Sequence, residues 1–383
     1  MTAYLDNSAT TRPSEAVAAA VRDMMEGGWY NPSALYKPAL EIQKKLDSVR
    51  EECLKAAGAA GQTAIFTSGG TEADNLALLG HLKTRRKPGK VLISSVEHPA
   101  VSACAEAIRR MGHIVEEIPA SRTGTVDLER LEAMLDGETV LISVMQVNNE
   151  TGAAEPLKAV AELRNLKVPE AAIHVDGVQG FLRMDLDFNR LGIQSYALSG
   201  HKIHGLKGTG ALILRKGHPI RPVAYGGGQE GNLRSGTENT FGIVALGEAV
   251  HSWDPGANER MRHLKDRLRD ELLRRIPDAR INGPDGEKEN SAPHILNVAF
   301  MPVRSQTMLF ALEGDGVYVS AGSACASRKQ KISPVLKAMG VSTEQADCSL
   351  RFSLCPFTTE EEIAYTVECV TKHWENLKKY TRR

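Results

Sequence analysis

Between Thr63 and Leu214 short apolar runs alternate with helical segments, and this alternation constrains the fold more than any other feature of the 383-residue sequence. The runs are Ala64-Ile65-Phe66-Thr67, Val91-Leu92-Ile93-Ser94, Val140 to Met145, Ile173-His174-Val175, Ser195 to Leu198 and Ala211 to Leu214. Helical patterns lie between them, from Thr71 to about His81, from Pro99 to Met111 and from Pro156 to Leu166. Apolar strands separated by amphipathic helices imply βαβ units and a mainly parallel sheet. A sheet of this kind binds ligands in the loops at the carboxyl ends of its strands.

Past Gly256 the pattern changes. A charge-rich helical stretch, Asn258 to Arg275, leads to a strand at Ile295 to Phe300 and a helix near Gln306 to Glu313. Strands at Val317 to Val319 and Leu350 to Ser353 follow, then a helix from Thr359 to about Lys378 whose acidic start suits the helix dipole. The expected division is a large domain at 15–256 and a smaller α+β domain built from 1–14 and 257–383.

Charge excludes some functions. Lys plus Arg and Asp plus Glu both number 47, so the formal net charge is zero. A protein that coats nucleic acid or an anionic membrane is disfavoured. No apolar run is long enough to span a bilayer, and Met1 to Thr11 lacks the basic and apolar segments of a secretory signal. The six cysteines, Cys53, Cys104, Cys325, Cys348, Cys355 and Cys369, form no Cys-x-x-Cys and read as reduced thiols in the cytoplasm. For each, a small buried hydrophobe is the ordinary reading.

Five groups follow strands. Ser199-Gly200-His201-Lys202 puts a lysine where an amine could form an imine with a carbonyl, although alone it is only a lysine in a glycine-containing loop. Asp176 closes another strand and could hold a protonated ring nitrogen, with Gln179 three residues on; a helix cap is the plainer role. Thr67-Ser68-Gly69-Gly70-Thr71 is a strand-to-helix junction able to cradle one phosphate; the plainer role is a tight turn capped by Thr71. No lysine follows the glycines, so it is not a nucleotide P-loop. His98, in Glu97-His98-Pro99, could stack on a planar ring and move protons, or be structural. Asn148-Asn149-Glu150-Thr151-Gly152 could bond ring substituents, though asparagine-rich turns are common. A phosphate cradle, an imine lysine, a ring-nitrogen carboxylate and a stacking histidine together are the parts that pyridoxal phosphate requires.

With these motifs in place the sequence resembles the cysteine desulfurases of the NifS/IscS type, in the class V aminotransferase group of fold-type I pyridoxal-phosphate enzymes. The resemblance runs from Tyr4-Leu5-Asp6-Asn7-Ser8-Ala9-Thr10-Thr11 to Phe352-Ser353-Leu354 and the following helix. Its most specific stretches are Thr67 to Asn75, Val147 to Gly152, Ser199 to Lys202, Arg234 to Thr237 and Gly322-Ser323-Ala324-Cys325. It implies an α/β fold with a mainly parallel seven-stranded sheet in the large domain, flanked by helices. The small domain would carry the catalytic cysteine loop.

The resemblance also implies roles. Lys202 would hold the cofactor as an imine and move the substrate Cα proton. Asp176 would pair with the ring nitrogen, Gln179 with the phenolic oxygen, and His98 would stack on the ring and serve as a catalytic proton carrier. Thr71, Ser199 and His201, with the Gly70 backbone, would hold the phosphate. Thr237 would reach the phosphate of the neighbouring subunit's cofactor in a homodimer. Arg351 would hold the substrate carboxylate, with Asn149 near ring and substrate. Cys325 would be the nucleophile that takes sulfur from L-cysteine as a persulfide, leaving L-alanine, and its small neighbours suit an accessible loop better than a core. No metal is expected.

An iron–sulfur scaffold or a tRNA- or cofactor-thiolating enzyme would then receive the sulfur. The neutral net charge gives no support to direct nucleic-acid binding. Alternatives within the same architecture are a selenocysteine lyase, which would not need Cys325, and an aminotransferase of the same group. Some residues depart from the pattern. Arg328-Lys329-Gln330-Lys331 is unusually basic, and could lower the Cys325 pKa, favour an acidic acceptor or be a solvated surface run. Cys355 stands where glycine is common, and Gly177 where alanine is common. The chain ends soon after its last helix, which weakens the expectation of a scaffold that docks on a longer tail.

Overall fold

The apolar runs of the sequence become strands. The computed structural model describes residues 1–285, 290–321 and 332–380. In chain order the strands are β1 (Ala3–Tyr4), β2 (Thr63–Thr67), β3 (Lys90–Ser94), β4 (Ile114–Ile118), β5 (Thr139–Ser143) and β6 (Ala172–Asp176). They continue with β7 (Ser195–Ser199), β8 (Gly210–Leu214), β9 (Ala279–Ile281), β10 (Ile295–Phe300), β11 (Val317–Tyr318) and β12 (Ser349–Ser353).

Among the described residues, a seven-stranded sheet runs in the order β2-β8-β7-β6-β5-β3-β4. From β7 to β4 every neighbouring pair is parallel. The β2–β8 and β8–β7 pairs are antiparallel, so β2 points the same way as β7. Every residue of β3, β5, β6, β7 and β8 is buried, because helices cover both faces. The edge strand β4 differs: Glu116 and Glu117 face water, and charge on an exposed edge discourages further strand pairing.

Two large apolar cores form. One packs Ile173, Val175, Tyr196 and Leu198 of the sheet against Val17 and Met24 of the helix Glu15–Gly27. Leu46 of the helix Lys37–Ala56 and Leu246 of the helix Thr240–His251 join it. These three helices have no counterpart in the sequence reading. The helix expected over Pro99 to Met111 divides at Ala103 into Pro99–Ser102 and Cys104–Arg110. The second core joins Leu264, Leu268 and Leu272 of the helix Gly256–Arg275 to Phe300, Leu350, Phe352 and Trp374. Ala3 and Leu5, from the far end of the chain, are part of this second core. The antiparallel sheet β12-β10-β9 supports it, and the parallel pair β1–β11 ties the amino-terminal arm to it. The helix Glu360–Leu377 starts with a capping box in which the Thr359 and Glu362 side chains each serve the other's backbone amide.

From Tyr4 to Thr11 the arm crosses from this second core to the sheet. The Asn7 amide donates to the Ser353 carbonyl at 3.2 Å, and the Thr11 amide to the His201 carbonyl at 3.0 Å. The strap thus lies over the carboxyl ends of β6 and β7. Among the described residues no helix is long and apolar enough to cross a membrane.

Candidate active site

All five loops singled out in the sequence open at one edge of the sheet, because β2, β3, β5, β6 and β7 point the same way. There they surround a cavity of about 260 Å³. Gly70, Thr71, His98, Asn149, Asp176, Gln179, Ser199, His201, Lys202 and Arg351 all line it.

The junction after β2 shows why it is built from glycine. Gly69 has φ of 151° and caps the helix Gly70–Leu82, so the cap falls on Gly69 and not on Thr71. A Cβ on Gly70 would lie 2.5 Å from Val178 Cγ2, so only glycine lets this helix start approach the loop after β6. The open amides of its first turn face a site that also receives Ser199 and His201. Burial, with Lys202 and Lys207 nearby, brings the His201 pKa down to about 4, so the ring is neutral near pH 7.

Lys202 ends a short turn, Gly200–Lys202, directly after β7. Its Nζ donates to the Ala9 carbonyl at 2.8 Å and to the Ser8 carbonyl. Burial, and then repulsion from Arg351 and Arg183, brings its pKa down to about 8, against the pull of Asp6 and Asp176. Such an amine is partly neutral near physiological pH.

Asp176 is buried at the end of β6, and its Oδ1 accepts the Val178 amide at 2.9 Å. It therefore serves its own turn as well as facing the cavity. Burial and the nearby Asp74 push its pKa up to about 7, while His98 opposes them. A positive partner in the cavity would restore its charge. The His98 Nδ1 accepts the Ala100 amide at 3.1 Å, which places the neutral ring's proton on Nε2. Burial lowers the His98 pKa, with Asp176 acting against it. The structural and the functional reading of His98 are thus compatible. Gln179 Nε2 donates to the Ser8 carbonyl at 3.0 Å, and its Oε1 lies 3.2 Å from Nε2 of the buried His294.

Arg351 comes from β12, on the other core, and is 2% exposed. It donates through Nη1 to the Asn149 carbonyl at 2.9 Å and through Nη2 to Asp6 Oδ1 at 2.7 Å. Thr237 is exposed and does not line this cavity. Cys325 and Arg328 to Lys331 lie outside the described residues. Of the other cysteines, Cys53, Cys104, Cys348 and Cys369 are buried as expected, whereas Cys355 is only half-buried because it already belongs to the loop beyond β12.

Several contributors escaped the residue-by-residue reading. Ser8 and Ala9 act through backbone carbonyls, which no sequence pattern marks. Asp6 stood inside the Tyr4 to Thr11 motif, but its partner is 345 residues away. Asp74 also lines the cavity. Its place four residues into the helix after Gly70 was the available signal.

A family model described as aminotransferase class-V matches residues 3–365. The fold and the lysine-centred cavity agree with that class. A cysteine desulfurase IscS from Dictyoglomus turgidum is 36% identical over 380 residues, which is 98% of this chain and 95% of that protein. A solved NifS-like protein has a TM-score of 0.91 at 33% identity, covering 98% of this chain and all of that one at 100%. A solved structure of SspA in complex with cysteine has a TM-score of 0.82 at 27% identity, covering 94% of this chain and 100% of that one. The chain belongs to the class-V aminotransferase family, in its cysteine desulfurase branch.

Proposed function

We propose that this enzyme uses pyridoxal phosphate to take sulfur from L-cysteine, releases L-alanine, and carries the sulfur as a persulfide on Cys325 to an acceptor. One observation carries the reading: Lys202, Asp176, His98, the Gly70 helix start and Arg351 converge on a single cavity from five separate segments.

The residues present fit the cofactor. A helix start that lines the cavity with its first-turn amides suits a phosphate. A buried carboxylate with a raised pKa suits a protonated ring nitrogen, and a lysine brought down to about 8 suits imine formation. Bound there, pyridoxal phosphate would supply the electron sink that loosens bonds at the substrate's Cα and Cβ. Thr71, Ser199 and His201, with the Gly70 amide, would hold its phosphate, Asp176 its ring nitrogen, Gln179 its phenolic oxygen and His98 its ring face.

The protein's own groups do the rest. Arg351 grips the substrate carboxylate with Asn149 beside it, and Lys202 takes the Cα proton. The Cys325 thiolate attacks the substrate sulfur. The electron pair of the broken C–S bond stays with Cβ, which takes a proton. His98 carries the proton of the thiol. Thr237 completes the phosphate site of the neighbouring subunit, which makes the working unit a homodimer. The large domain spans 15–256, and the small domain is assembled from 1–14 and 257–383 with the Cys325 loop. The acceptor is a sulfur-receiving protein, either an iron–sulfur scaffold or a tRNA- or cofactor-thiolating enzyme, and the reaction belongs in the cytoplasm.

The test is to incubate the purified enzyme with L-cysteine and a reductant and to measure sulfide and alanine, with Cys325→Ala alongside. Equal sulfide and alanine from the wild type, both lost in the variant, establish the reading. Undiminished products from the variant remove Cys325 as nucleophile and favour the selenocysteine lyase alternative.

A further inference from the structure

The arginine that faces the cavity already holds a carboxylate of its own chain. Arg351 Nη2 donates to Asp6 Oδ1 at 2.7 Å, and Nη1 to the Asn149 carbonyl at 2.9 Å. Its Nε is buried without a hydrogen-bond partner among the described residues. A carboxylate entering from the cavity is held best by two donors of one guanidinium. Of the two acceptors in place, the Asn149 carbonyl is neutral and fixed in the backbone. The Asp6 carboxylate is charged and sits on a rotatable side chain.

The two ends of the ion pair also differ in their access to water. The Arg351 side chain is 2% exposed and the Asp6 side chain 21%. Arg351 cannot leave its place without abandoning a charge in the interior. Asp6 can turn outward and be hydrated, and its backbone stays anchored because the next residue, Asn7, bonds to Ser353 through both its amide and its side chain. A second cation, Lys202, lies under the same strap on the Ser8 and Ala9 carbonyls, so Asp6 is the one acidic side chain that the strap brings to both.

We propose that Asp6 is a built-in competitor for the substrate carboxylate at Arg351, and that the exchange of one carboxylate for the other raises the affinity that any carboxylate ligand must supply to enter the site. The inference rests on the reading of Arg351 as the carboxylate anchor. Exchange replaces one charge-assisted hydrogen bond by a similar one, so a plain carboxylate gains little by entering. An amino acid gains more, because its other groups find further partners in the cavity. Asp6 is thus a positioning residue that acts through Arg351 and keeps the site closed to simple anions.

The test is titration calorimetry of the holoenzyme with two probes, acetate and L-alanine, in the wild type, Asp6→Asn, Asp6→Glu and Arg351→Lys, with KM and kcat for L-cysteine measured in parallel. Asparagine keeps the shape and removes the charge. Asp6→Asn is expected to bind both probes roughly tenfold tighter. Its change for L-cysteine falls in KM rather than kcat, and Asp6→Glu restores the wild-type values. A merely structural Asp6 would instead weaken both probes and lower kcat with the melting temperature. Unchanged or weaker probe binding in Asp6→Asn, with Arg351→Lys weakened, overturns the exchange and leaves the anchor in place. Unchanged L-alanine binding in Arg351→Lys overturns the anchor itself. Should Asp6→Asn not fold, Asp6→Ser carries the same expectation.

Discussion

His174 Nε2 lies 3.1 Å from Asp74 Oδ1, with neither side chain more than 1% exposed. The other ring nitrogen lies 2.9 Å from Ser195 Oγ, so the imidazole bridges a site carboxylate to β7. Burial raises the Asp74 pKa and brings that of His174 down to about 4, so the imidazole is neutral near pH 7. A neutral imidazole donates through one ring nitrogen and accepts through the other, so one ring serves both Asp74 and Ser195.

Removing one end of this bridge strands the other. His174→Ala is expected to lose about 3 kcal/mol of unfolding free energy, from the cavity and from the orphaned Asp74 together. Asp74→Asn, which keeps the shape and a hydrogen bond to the ring, is expected to lose less than about 1 kcal/mol. Urea unfolding of the two variants checks the order, and an equal loss in both would contradict a bridge that an amide can maintain.

Loading of the cofactor depends on the free amine of Lys202. A lysine pKa brought down to about 8 leaves the amine mostly protonated below that value and mostly neutral above it. The rate at which the cofactor-free protein takes up pyridoxal phosphate, followed by absorbance, is therefore expected to climb about tenfold per pH unit below 8 and to level off above it. A rise continuing past pH 10 would mean an unperturbed lysine.

Arginine and lysine are not equivalent at position 351. Lysine cannot reach the Asn149 carbonyl and a carboxylate with two planar donors. Arg351→Lys is expected to raise KM for L-cysteine at least about tenfold, with a smaller effect on kcat. Steady-state kinetics decides, and a fall confined to kcat would separate Arg351 from substrate binding.

Gly177 and Tyr196 are matched in shape. A Cβ on Gly177 would lie 1.9 Å from Tyr196 Cζ, and the phenol is held by Gln146 Oε1 at 2.8 Å. Gly177→Ala is therefore expected to cost about 1–3 kcal/mol of stability despite the smallness of the change. Combined with Tyr196→Leu, the loss is expected to be less than the sum of the two single losses, which a double-mutant cycle on thermal or urea unfolding reads directly.

Much of this architecture was legible in the sequence where its cause is local. Val91 to Ser94, Val140 to Ser143 and Ser195 to Leu198 are runs that only a strand buried on both faces can use, and they form β3, β5 and β7. The site loops were legible for a related reason: polar and glycine residues directly after such runs mark strand ends. The helices Glu15–Gly27 and Lys37–Ala56 were not read, because their apolar faces acquire meaning only from the sheet and the helix Thr240–His251 that they cover. Cys355 reads as a core cysteine in sequence, and only its place beyond β12 leaves it half in water.

The sequence by itself determined the alternation of strands and helices, the glycine-built helix start at Gly69-Gly70 and the lysine, aspartate and histidine at strand ends, since each follows from neighbours a few residues apart. Only the tertiary structure decided that Asp6 meets Arg351 across 345 positions, that Asp74 meets His174 across 100, and that the Ser8 and Ala9 carbonyls receive Lys202. The physical reason is that hydrogen bonds and desolvated charges depend on distance in space. The strap brings these groups together only after both cores have formed.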